Sequence, residues 1–138
     1  MIKVSELGNG VKVATRSMPH ATTLSIGIWV NAGARDEKDD EQGIAHMLEH
    51  MAVKGTRRRD ARAIATEVEN VGGFMNAHTS REETAYSLRL LPEQLDPGVA
   101  ILAAILTEST LPDDDTEREL GSIIQDIGPS LDTTHDRA

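Results

Sequence analysis

The chain has 138 residues, a length that suits one ordinary domain, and a formal net charge of −9 from 23 acidic against 14 basic residues. That balance repels phosphate backbones and argues against nucleic acid as a partner. There is no cysteine, which excludes disulfides and thiolate metal ligands, so any zinc must be held by His, Asp or Glu.

No apolar run is long enough to span a bilayer; the longest candidate is the interrupted stretch 99–106. The first residues lack the basic segment and apolar core of a signal peptide. The expected compartment is therefore the cytoplasm, or an organelle interior after processing, with no membrane partner. Aromatic residues make up 2% of the chain, so the core must rest on Ile, Leu, Val, Ala and Met.

In chain order, residues 2–5 and 11–14 alternate apolar with polar around Gly8-Asn9-Gly10, which predicts a β-hairpin with a tight Asn-Gly turn. Residues 22–30 form a longer β-prone segment with Ile26, Ile28 and Val30 on one face. The stretch 31–41 reads as an exposed loop. A helix is predicted over 42–52, closed near Lys54-Gly55. Arg57-Arg58-Arg59 reads as a solvated helix entry, and 61–71 as a second amphipathic helix bearing Ile64, Val68 and Val71, stopped by Gly72-Gly73.

Segments 74–77 and 84–91 are predicted as antiparallel strands joined by the polar stretch 78–83. Pro92-Glu93 opens a helix to about residue 107. Pro112-Asp113-Asp114-Asp115 starts a last one, its acidic residues suiting the helix dipole. That helix carries an apolar stripe of Leu120, Ile123, Ile124 and Ile127, and Gly128-Pro129 is expected to break or kink it. Residues 132–138 form a polar run with no closing element. The order of elements predicts an α+β fold, helices packed on one face of an antiparallel or mixed β-sheet.

The chemistry concentrates in His46-Met47-Leu48-Glu49-His50. On a helix, His46 and His50 at i and i+4 leave the same face, with Glu49 beside them at i+3. Two such imidazoles can share one Zn²⁺, with the carboxylate placed to take a proton from water activated by the metal. This is the H-E-x-x-H pattern of metalloproteases with its order reversed. A bare pattern of this length also arises as a surface histidine pair. Two features favour the metal reading: the apolar neighbours Ile44, Ala45, Met47, Leu48 and Met51, and the carboxylates Glu119 and Asp126 on the last helix. Seven residues apart, Glu119 and Asp126 share one helix face, and one of them can complete a three-ligand site that leaves a position open for water. His20, His78 and His135 are isolated and read as surface or loop histidines; the methionines read as core filling.

Several blocks, in order, carry a resemblance that covers nearly the whole chain. They are residues 43–51 (GIAHMLEHM) with Lys54-Gly55-Thr56, residues 72–82 (GGFMNAHTSRE), Thr84-Ala85-Tyr86, and residues 117–128 (ERELGSIIQDIG). In these the chain resembles the inverted-zincin peptidases, the pitrilysin, insulin-degrading enzyme and mitochondrial processing peptidase family, most closely its bacterial processing-peptidase-like members. The resemblance implies a zinc-dependent endopeptidase acting on extended peptides. His46 and His50 would bind zinc, Glu49 would be the general base, Asn76 and Ala77 would lie along the substrate as an added strand, and Glu119 would support a ligating histidine.

The family's third zinc ligand is a glutamate, and Asp126 stands there. Its carboxylate is withdrawn by about one C–C bond, ~1.5 Å, against zinc–oxygen distances of roughly 2.0–2.2 Å. Family members are several times longer, and their C-terminal half supplies an arginine and a tyrosine to the substrate. Residues 1–138 would then be the incomplete N-terminal, zinc-binding part of a peptidase domain, partnered by a C-terminal half or a second subunit. The competing expectation is a non-catalytic, structural member of the same family, or an inactive fragment of one, with an impaired metal site.

Overall fold

The computed structural model describes residues 1–130, with side chains described through residue 124. Asp126, Ile127 and His135 therefore have side chains outside the described residues, as does the polar run 132–138.

A three-stranded antiparallel sheet organises the molecule, with β7 (Thr84–Leu90) between β3 (Leu24–Val30) and β6 (Phe74–Thr79). Alternation along β7 assigns its two faces: Tyr86, Leu88 and Leu90 point into the core, while Arg89 is exposed on the other side. Helices α2 (Ala61–Asn70) and α3 (Leu95–Thr107) cover the inner face, where Ile64, Leu88, Leu90, Leu102 and Ile105 are fully buried. The outer face carries no helix among the described residues. It holds Trp29 and Phe74, the chain's single tryptophan and phenylalanine, 60% and 69% exposed.

The α+β class and the helix-covered face stand as read from the sequence. The strands, however, divide among separate antiparallel sheets. β1 (Ile2–Glu6) and β2 (Lys12–Arg16) form their own hairpin around the expected turn, with Gly10 at φ 87°. Ile2 and Val4 remain exposed because no described element covers them. The arginine run is not a helix entry. Arg59 and Asp60 form β5, paired with Gly55 and Thr56 of β4, and the Arg59 guanidinium donates to Glu67 of α2 at 2.7 Å. β6 extends to Thr79, so His78 lies on a strand and not in a loop.

The stretch 31–41, read as an exposed loop, is tied down at both ends. Ala34 N–H donates to the Ser80 carbonyl at 3.0 Å and Arg35 N–H to the Arg81 carbonyl at 2.9 Å. Gly33 is buried against this turn: a Cβ there would stand 2.7 Å from the Arg81 carbonyl oxygen. Further on, the Glu37 carboxylate accepts from Gly43 N–H at 2.9 Å and Ala45 N–H at 2.8 Å. Those are orphan donors at the start of α1 (Ile44–Ala52), and a carboxylate also suits that end of the helix dipole. Gly43, at φ 91°, makes the left-handed turn that aims the chain into α1.

α4 (Asp113–Ser130) packs along α1 through Thr116 and Glu119, which meet Met51 and His50, and Ile123, four residues on, is buried on the same face. The expected apolar stripe is corrected here. Ile123 is buried, but Leu120 and Ile124 are 52% and 63% exposed, since no described element lies on their side of the helix. Nor does the helix break at Gly128-Pro129; it runs through Ser130, proline there removing a single i→i−4 bond.

Gly33→Ala is expected to destabilise the fold by about 1–3 kcal/mol, because backbone on both sides must move to admit the methyl. Gly121→Ala, on α4 where a Cβ meets nothing within 4 Å, is expected to stabilise by about 0.5–1 kcal/mol. Thermal denaturation followed by far-UV circular dichroism measures both.

Candidate metal centre

α1 brings the reversed motif together as its spacing predicts. His46, Glu49 and His50 share one face and are half-buried, whereas Ile44, Ala45, Leu48 and Ala52 form the adjoining face, next to Glu49. That side lines an apolar pocket of about 470 Å³, open to solvent and lined also by Val30, Tyr86 and Ile105, which explains why Ile44 and Leu48 remain exposed. The apolar neighbours of the motif therefore bury less than the sequence suggests.

The two imidazoles converge. His46 Nε2 and His50 Nε2 are 3.0 Å apart, with ring centroids at 4.7 Å and planes inclined by 76°. Two nitrogens each about 2.0–2.1 Å from one tetrahedral ion lie roughly 3.3 Å apart, so opening the pair by a few tenths of an ångström admits zinc. Across the ring, His50 Nδ1–H donates to Glu119 Oε2 at 2.8 Å. With its proton committed to Nδ1, neutral His50 keeps the Nε2 lone pair free and aimed at the shared point. The donor set fits zinc in type and direction. Among the described residues no third His, Asp or Glu joins the pair; Asp126 lies two turns beyond Glu119 on α4, its side chain outside those described.

Glu119 has a second partner. Its Oε1 accepts from the Lys54 ammonium at 2.6 Å, and its side chain is only 16% exposed. The Lys54 and His50 donors hold its carboxyl below the usual carboxylate range, against the opposing effect of burial. Lys54 entered the sequence reading only as the close of the helix and within the family resemblance, with no part in the site, although it stands four residues after His50 and so continues the 46, 50 spacing.

Glu49 is half-buried on the same helix and acts electrostatically on Tyr86. Burial, and then the Glu49 carboxylate, push the Tyr86 phenol up to about 12. Tyr86 pairs directly with Ala77 across the β6–β7 ladder, and α1 packs beside β6. Helix α1, which carries Glu49, therefore lies beside the strand that holds Asn76 and Ala77. Asn76 is exposed and Ala77 half-buried, and the far edge of β6 has no strand partner among the described residues. Tyr86 is likewise a residue whose role the sequence did not reveal; only the sheet register brings it under Glu49.

Tyr86 is the chain's single tyrosine, so absorbance near 295 nm titrates it alone. Its folded value lies above the ordinary 10.0, so its stabilising contribution is present below that pH and is lost as pH rises towards about 12. Glu49→Gln is expected to move the midpoint down part of the way to the ordinary value, leaving the larger effect of burial.

No helix among the described residues is long and apolar enough to cross a membrane. Residues 12–135 match the family model described as insulinase, peptidase family M16. The mitochondrial-processing peptidase subunit beta of Lentinula edodes is 45% identical over 124 residues, 90% of this chain and 27% of that protein. A protein of Rickettsia bellii described as an uncharacterized zinc protease is 39% identical over 133 residues, covering 96% of this chain and 32% of its own length. Among solved structures, a protease from Helicobacter pylori superposes with a TM-score of 0.79 at 28% identity, over 83% of this chain and 28% of that one. The chain thus spans about a quarter to a third of the length of the relatives it matches. With the reversed motif on α1 and the family match running over almost its whole length, the chain belongs to the insulinase family of peptidases, M16.

Proposed function

We propose that the chain is the zinc-binding N-terminal part of an endopeptidase that cleaves extended peptides. The observation that carries this reading is the convergence of His46 and His50 on one point, 3.0 Å apart, with His50 locked to Glu119 and Glu49 on the same helix face. When bound, Zn²⁺ supplies Lewis acidity, lowering the pKa of water and polarising a scissile carbonyl.

The remaining work falls to the chain's own groups. His46 and His50 hold the ion, with the carboxylate of Asp126 as third ligand. Glu49 takes the proton of the attacking water and passes it to the leaving amine. Asn76 and Ala77, on the open edge of β6, pair main chain to main chain with the substrate, which presents its carbonyls in register beside α1. The rest of the substrate chamber comes from a C-terminal half or partner subunit, beyond the quarter to third that this chain represents.

A non-catalytic subunit is the second reading. The shortened ligand Asp126 favours it, and the intact His46, Glu49 and His50 oppose it.

The purified chain is expected to retain near-stoichiometric zinc after dialysis, read by elemental analysis, and His50→Ala to lose it. Zinc absent from the wild type even after zinc is supplied would sink the enzyme reading for this piece. Asp126→Glu is expected to tighten zinc binding about tenfold or more by restoring the missing methylene's reach; unchanged affinity would count against Asp126 as a ligand. Joined to its C-terminal half, the protein is expected to hydrolyse peptides, and Glu49→Gln to lower kcat by at least 10²-fold without releasing zinc.

A further inference from the structure

Lys54 is fixed in place by backbone on both sides. Its N–H donates to the Met51 carbonyl at 3.1 Å, closing α1, and the next residue, Gly55, is held in β4 by pairing with Asp60. The Gly55 carbonyl also accepts from Thr110 N–H at 3.0 Å, just before α4 begins. From this anchored point the side chain, 31% exposed, reaches Glu119 Oε1 at 2.6 Å. The other oxygen of the same carboxylate accepts a hydrogen bond from His50 Nδ1–H at 2.8 Å.

A carboxylate held at one oxygen still turns about its last torsion, whose rotamer well is broad. Held at both oxygens by donors on separate segments, its plane is set. Each contact is charge-assisted or partly sheltered from water, which shortens and strengthens it. Without the second hold, Glu119 no longer offers a fixed acceptor to Nδ1, and the neutral ring of His50 redistributes towards the tautomer protonated at Nε2. That nitrogen is the one that faces His46, and a protonated Nε2 cannot bind a metal.

We propose that Lys54 is a positioning residue of the metal centre: by clamping Glu119 Oε1 it fixes the carboxylate that keeps His50 protonated at Nδ1 and open at Nε2. The proposal rests on the reading of His46 and His50 as metal ligands, but its first consequence appears in the metal-free protein.

The test uses the full 138-residue chain with Lys54→Met, Lys54→Arg, Glu119→Gln and the Lys54→Met/Glu119→Gln double variant. Side-chain ¹H–¹⁵N correlation spectra of the metal-free proteins, at mildly alkaline pH, read the His50 tautomer. Chelator competition reads zinc affinity, and thermal melting confirms folding. Lys54→Met is expected to shift His50 towards the Nε2–H form and to weaken zinc binding about tenfold. Lys54→Arg is expected to restore most of both. In the Glu119→Gln background, Lys54→Met is expected to add nothing, since its effect passes through Glu119.

Wild-type tautomer and affinity in a folded Lys54→Met would overturn the proposal. So would an equal loss in the Glu119→Gln background, which would show that Lys54 acts by another route. Should Lys54→Met not fold, the comparison of Lys54→Arg with wild type decides: retention of the Nδ1–H form supports the clamp, and its loss opposes it. If the wild type takes up no zinc, the metal reading falls, while the tautomer spectra still decide the role of Lys54.

Discussion

Helices α1 and α4 are joined across 69 residues of sequence by one carboxylate, Glu119, whose two oxygens accept hydrogen bonds from His50 Nδ1–H and the Lys54 ammonium. Glu119 reaches from α4 to His50 on α1 and to Lys54 just beyond it. The same contact does two jobs. It orients an imidazole, and it holds against α1 the helix that carries the remaining candidate ligand. One turn before Glu119, the Thr116 hydroxyl meets the Met51 sulfur of α1, and one turn after it Ile123 is buried. The polar link is sheltered but not sealed, so it is strengthened by reduced dielectric without the full penalty of burying ions.

The sheet supplies the second constraint. β7 lies between two strands and fills the core with every other side chain, which leaves its neighbours β3 and β6 each with one unpaired edge among the described residues. α1 packs beside β6, so the helix that carries His46, Glu49 and His50 and a strand edge unpaired among the described residues become neighbours. Tyr86 marks that junction from below, buried in the core yet within the field of Glu49.

How much of this was legible in the sequence follows from the range of each interaction. The histidine pair and Glu49 were readable because helical periodicity alone puts i, i+3 and i+4 on one face. The helices over α2 and α3 and the β6–β7 pair were readable from apolar spacing and glycine stops. Long-range contacts were not: nothing local to Glu37 announces that its carboxylate caps α1, and nothing local to Lys54 announces Glu119. The stripe on α4 misled for the opposite reason. Periodicity says which residues share a face but not whether anything covers it, and Leu120 and Ile124 face outward. The family resemblance supplied the roles of Asn76, Ala77 and Glu119, which composition and spacing do not contain.

The open edge of β6 has a further consequence. Unpaired N–H and C=O groups along a strand bind any extended backbone, and a second copy of this chain offers such backbone as readily as a peptide does. Self-association through that edge is opposed by two features already in view. The edge is short, only six residues from Phe74 to Thr79, and each copy carries a net charge of −9, so stacking copies accumulates repulsion that a neutral or basic peptide does not meet. The acidity that argued against nucleic acid at the outset thus also opposes edge-to-edge stacking between copies of this chain.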